Sequence, residues 1–121
     1  KFMNSMSNQT TEKVLRDILV KKGFSRLSRV REYGETGVDI IAEKKGYLVF
    51  VEVRTKVGER FGTPEETLDW KKRRKLLGNA KAYVANKKYK GLYRIDAVCI
   101  VLRGDGTETP QRISHYENCI S

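Results

Sequence analysis

The chain has 121 residues, enough for one domain with a real core, and its 39% apolar and 33% charged content reads as globular rather than disordered. It carries 25 lysines and arginines against 15 acids, a formal net charge of +10, which favours a polyanionic partner, nucleic acid above all. No run of about 18 apolar residues offers a membrane span, and no apolar stretch near Phe2 makes a signal peptide.

Two cysteines, Cys99 and Cys119, have no CxxC spacing; this argues against zinc and suits a reducing cytoplasm. Residues 1–8, with Met3 and Met6 close behind Lys1, are expected to be disordered or a cloning remnant. Residues 9–121 are expected to form a single domain.

Thr10–Lys22 reads as the first helix, with Val14, Leu15, Ile18 and Leu19 on one stripe. Thr10 or Thr11 can supply the N-cap oxygen, and Gly23 suits the left-handed position that ends a helix. Glu12 lies at the edge of the buried stripe. It is either favourable charge near the helix N-terminus or a third carboxylate for a site elsewhere. Phe24–Tyr33 reads as a strand, followed by a turn over Tyr33-Gly34-Glu35-Thr36-Gly37.

Val38–Lys56 reads as a hairpin turning at Lys45-Gly46. In that register Ala42 faces Val49, Ile40 faces Val51 and Val38 faces Val53, an apolar face throughout. On the other face Ile41 meets Phe50 and Asp39 meets Glu52. Directly opposed Cβ atoms are roughly 5 Å apart, and like charges there are destabilising. A divalent cation of the hard, oxygen-seeking kind, Mg²⁺ or Mn²⁺, is the simplest reason for the pair. Arg54 and Lys56 follow Glu52 at strand period two and share its face. Spacing alone leaves open a solvated strand end with ordinary surface charges.

Val57–Pro64 is a loop with Gly58 and Gly62 around Glu59-Arg60-Phe61, able to close over a bound strand. Thr63-Pro64-Glu65-Glu66 forms a capping box, from which a long helix is expected to run to about Lys88. Leu76, Leu77, Ala80, Tyr83 and Val84 make its buried stripe. Lys71, Lys72, Arg73, Arg74 and Lys75 are five consecutive basic residues: a solvated helix face, or a surface that contacts phosphates, with Arg60 nearby in the chain and Trp70 free to stack or pack. Between Arg54 and Arg94 there are thirteen basic residues and four acidic ones. Leu92–Leu102 is a near-continuous apolar strand, expected to pair in parallel with a partner, and Arg112–Tyr116 adds an edge strand. His115, the only histidine, reads as a packed or surface residue. The order is α-β-β-β-α-β-β, an α/β fold with a mixed sheet.

Several segments together resemble one family. They are Glu12 through Gly23-Phe24, Gly37-Val38-Asp39-Ile40-Ile41-Ala42, Leu48 through Lys56, Arg60-Phe61-Gly62-Thr63-Pro64-Glu65-Glu66, Arg94-Ile95-Asp96-Ala97-Val98 and His115-Tyr116-Glu117-Asn118. They resemble the YraN family of bacterial proteins, described as distantly related to archaeal Holliday junction resolvases. The resemblance implies a restriction-endonuclease-like fold, a site of the Asp…Glu-X-Lys type, Mg²⁺ or Mn²⁺ as cofactor, DNA (branched DNA included) as substrate, and a homodimer.

In that resemblance Asp39 and Glu52 are the acidic pair and Glu12 the first-helix glutamate, all three as metal ligands. Arg54 stands where the nucleases carry lysine, a departure, because arginine effectively cannot lose its proton; Lys56 is the candidate substitute. Gly37 stands where the family usually has glutamate, with Glu35 as a nearby replacement. Three readings follow: a metal-dependent endonuclease with Asp39, Glu52, Arg54 and Lys56 catalytic, a nucleic-acid-binding module on a nuclease scaffold, and a protein-interaction domain with a basic helix.

Overall fold

A computed structural model describes residues 9–29, 39–107 and 109–121, with backbone only for residues 9–12 and 29. Helix α1 spans Gln9–Lys21, β1 Ser25–Arg29, β2 Ile40–Lys44, β3 Tyr47–Val57, α2 Trp70–Asn86, β4 Leu92–Leu102 and β5 Pro110–Tyr116. The five strands form one sheet in the order β1-β2-β3-β4-β5, with β3 and β4 parallel and every other neighbour antiparallel. This is the expected α-β-β-β-α-β-β order, an α/β fold compatible with a restriction-endonuclease-like arrangement.

The β2–β3 hairpin has the register read from its apolar pattern: Ile40 opposite Val51, Ile41 opposite Phe50 and Ala42 opposite Val49. Val38 and the preceding turn, with Glu35 and Gly37, lie outside the described residues. The turn is the two residues Lys45 and Gly46, both at positive φ (48° and 84°), the geometry whose twist matches that of the flanking strands. Gly46→Ala is therefore expected to cost about 1 kcal/mol, although nothing stands within 4 Å of the added carbon. A urea midpoint measurement checks it.

Because side chains alternate along a strand, β3 divides its residues between two cores. Val49, Val51 and Val53 join Ile40, Ala42, Val98 and Ile100 beneath Leu15 and Leu19 of α1. Phe50 joins Ile41 and Ile95 beneath Leu76, Ala80 and Tyr83 of α2, meeting the Tyr83 ring edge-on at 5.5 Å. The end of α1 is as expected: Gly23 has φ 96°, and Phe24 N–H donates to the Leu19 carbonyl at 3.0 Å.

The expected single helix from Thr63 is corrected. The capping box forms, with Thr63 N–H donating to Glu66 Oε1 at 2.7 Å and Glu66 N–H to Thr63 Oγ1 at 3.3 Å. It starts only a 3-10 turn, Glu65–Thr67, which leaves helical geometry at Leu68 (φ −92°, ψ 62°). Helix α2 then starts afresh, with the Asp69 side chain accepting from Lys72 N–H at 2.8 Å.

Candidate metal and nucleic-acid site

Asp39 immediately precedes β2. Its N–H donates to the Val51 carbonyl at 3.1 Å, and its Oδ2 accepts from Val53 N–H at 2.8 Å. The side chain thus continues the β2–β3 ladder past the end of β2 and is locked against β3. Glu52 projects from the middle of β3 on the α2 face. Both carboxylates are almost fully buried, at 1% and 2% exposure. They are near enough to repel: burial first, and the Asp39 charge second, push Glu52 up to about 7. Glu52 Oε1 is buried with no hydrogen-bond partner among the described residues.

Two cations face the other oxygen of Glu52. Arg54 Nη1 donates to Glu52 Oε2 at 3.3 Å, and its Nε donates to Thr67 Oγ1 at 2.6 Å, tying β3 to the 3-10 turn. Lys72 Nζ comes from the first turn of α2 and stands 3.7 Å from the same oxygen. Arg54 is therefore brought to the acid pair and braced. Lys56 is not: four residues beyond Glu52, it stands ~13 Å further along the strand at the usual rise, with no ion pair to either acid among the described residues. The lysine that reaches Glu52 is Lys72, on the helix. Helical period explains it, since Lys72 extends the buried stripe Leu76, Ala80 and Tyr83 back by one turn. Glu12 belongs to α1, which packs on the opposite sheet face, and its side chain lies outside the described residues.

Of the basic run, Lys71, Arg73, Arg74 and Lys75 are exposed and only Lys72 turns inward. All five occupy the start of α2, where the helix dipole presents its positive end and favours anions. Stability alone would place acids there, and the first turn has none. Arg60 is exposed, its guanidinium 5.4 Å from the Phe61 ring. The base of that loop is anchored: Arg112 forks onto Glu65 at 2.7 and 3.1 Å and reaches Glu59 at 2.9 Å. Arg112 and the Tyr116 hydroxyl hold Glu65 down at about 2.

On the opposite face of the sheet is a group that the sequence reading left out of the site. One oxygen or nitrogen each of Asp96, His115 and Glu117 lie within 4.8 Å of one another, a set that can hold a metal ion. Here, however, Asp96 is fully buried and both its oxygens are engaged: Arg94 at 3.0 and 3.2 Å, His115 Nε2 at 2.9 Å and Asn118 N–H at 2.9 Å. An ion would have to displace Arg94. His115 packs against the Phe24 ring at 5.7 Å, the first of the two expectations for it, packed or surface. A lone acid within Ile95-Asp96-Ala97-Val98 was the available signal, because acids are almost never fully buried without partners.

A mixed sheet with a helix on each face defines the class: an α/β domain compatible with a restriction-endonuclease-like arrangement, with a buried acid pair near the start of α2. The family model described as "Uncharacterised protein family UPF0102" matches residues 11–100. A UPF0102 protein of Phocaeicola vulgatus is 33% identical over 82% of this chain and 78% of its own. One from Caldanaerobacter subterraneus is 32% identical over 88% of each chain. One from Persephonella marina is 44% identical over 57% of this chain and 59% of its own. The chain belongs to the UPF0102 family, which is the YraN family of the resemblance.

Proposed function

We propose that the protein is a metal-dependent endonuclease acting on DNA, branched DNA included, with Asp39 and Glu52 holding Mg²⁺ or Mn²⁺. The observation that carries this reading is the buried pair itself, with Glu52 Oε1 left without a hydrogen bond among the described residues. An orphaned buried carboxylate oxygen costs stability, and a hard divalent cation is the partner that oxygen ligands suit. Bound there, such an ion lowers the pKa of its water and neutralises charge building on a phosphate.

The chain's own residues do the rest. Val53 N–H fixes Asp39, Arg54 and Lys72 fix Glu52, and Lys72 adds positive charge where a phosphate would sit. Lys71, Arg73, Arg74 and Lys75, with Arg60, hold the backbone in register. No helix among the described residues is long and apolar enough to cross a membrane. Cys99 and Cys119 are free thiols, which supports a reducing cytoplasm as the place of action.

Incubation with linear and branched DNA, with Mn²⁺ or Mg²⁺ against EDTA, tests the reading. Cleavage should require the metal, vanish in Asp39→Ala and fall about 10²–10³-fold in Lys72→Ala, the loss typical of removing one preorganised charge stabiliser. Lys56→Ala should change it far less. Metal-independent cleavage, or an active Asp39→Ala, would contradict the reading. One observation favours binding without turnover: Arg54 takes the place of lysine and is committed to Glu52 and Thr67. That alternative predicts salt-sensitive DNA binding with no product under any metal.

A further inference from the structure

Trp70 is the only tryptophan in the chain. It opens α2 and is 61% exposed, with the Arg74 guanidinium 5.6 Å from its ring. Beside it is a cavity of about 380 Å³ lined by Trp70, Arg73, Arg74, Leu77, Cys119 and Ile120, within the ~300–1,000 Å³ range of small-ligand sites. Its walls are of two kinds. Leu77 and Ile120 belong to the core beneath α2, whereas Arg73 and Arg74 put charge at the rim. A buried floor of this sort does not need an indole left in water above it.

We propose that this cavity binds an unpaired nucleobase, stacked on Trp70 with its phosphate at Arg73 and Arg74, so that the substrate is nucleic acid containing single-stranded nucleotides. The inference rests on the nucleic-acid reading of α2 and deepens it. A flat apolar wall, an exposed ring and an arginine rim match a base and its phosphate together: every base has a π-face for the ring, and the groove tracks the backbone by charge. A fully paired duplex keeps its bases stacked inside and offers this cavity only phosphates. The position is also apt. Trp70 precedes Lys72 by two residues in the same helical turn, and Lys72 faces Glu52. Two residues apart, the two side chains project from opposite sides of that turn, so a strand seated on Trp70 passes round the start of α2 to reach Glu52. A second exposed ring, Phe61 at 86%, carries Arg60 over it on the loop leading into this helix.

The test uses Trp70 as its own reporter. The 121-residue chain in EDTA is titrated with an oligo-dT strand and with a hairpin duplex of equal length, following tryptophan fluorescence and, separately, the anisotropy of labelled oligonucleotide. The strand should quench Trp70 and the duplex should quench it much less. Trp70→Ala, at an exposed position, should weaken strand binding about tenfold, the effect of losing one base–aromatic stack, while leaving duplex binding within about twofold. Trp70→Phe should recover most of the loss. Strand binding without quenching, an unchanged strand affinity in Trp70→Ala, or equal weakening for strand and duplex would overturn the proposal. Quenching in a protein that never cleaves would refute only the nuclease reading, and metal-dependent cleavage without quenching would refute only this one.

Discussion

In EDTA, Glu52→Gln is expected to be more stable than the parent protein at pH 8 and equal to it near pH 4. Burial and the Asp39 charge raise the folded-state value of Glu52 from 4.5 to about 7. Below the ordinary value both folded and unfolded chains hold the proton, so folding is unaffected. Between there and about pH 7 the unfolded chain releases the proton while the folded chain keeps it. Stability therefore falls as pH rises through that window, by up to ~3 kcal/mol, and the deficit persists above it. Glutamine keeps the shape of Glu52 and never ionises, so its urea midpoint should lack this decline. With saturating Mn²⁺ the order should reverse, because only the parent gains stability from binding. A variant that is less stable than the parent at pH 8 in EDTA would mean that Arg54 and Lys72 already satisfy Glu52.

Asp96→Ala should be the most damaging change on the opposite face, at about 3–5 kcal/mol, because it takes from the largely covered Arg94 and His115 the carboxylate that both bond, leaving Arg94 only Glu117 at 3.7 Å. Arg94 and His115 expose only 14% and 4% of their side chains. Asp96 is held below its ordinary value: burial opposes ionisation, but hydrogen bonds from His115, Asn118 N–H and Arg94 together outweigh it. A lowered folded-state value contributes stability that is present above the ordinary aspartate range and lost as pH falls below it. The gap between parent and Asp96→Ala should consequently close in acid. Denaturation at pH 7 and pH 3 measures both ends, and a cost below 1 kcal/mol at pH 7 would refute a structural role.

The hairpin was legible because two apolar faces and a glycine turn admit one register: slipping by a residue would turn Val49, Val51 and Val53 toward α2 and Phe50 and Glu52 toward α1. Strand β4 was legible because its continuous apolar run demanded burial on both faces. The break at Leu68 was not. Thr63 and Glu66 satisfy the capping box in either geometry, and the competing N-cap, Asp69, lay inside the stretch assigned to the longer helix. Within the site, Asp39, Glu52 and Arg54 followed from strand period. Lys72 was read as one of five phosphate contacts, although its spacing of four from Leu76 already placed it on the buried stripe. Asp96 and His115 stayed outside because their meeting depends on β5 pairing with β4, a contact between distant segments that no local pattern encodes.

Calorimetric titration of Mn²⁺ into the parent, Asp39→Ala and Asp96→Asn tests the central claim most directly. The parent and Asp96→Asn should each bind the ion, and Asp39→Ala should show no saturable heat. Binding that survives in Asp39→Ala but disappears in Asp96→Asn would move the metal to the other face of the sheet and contradict the account.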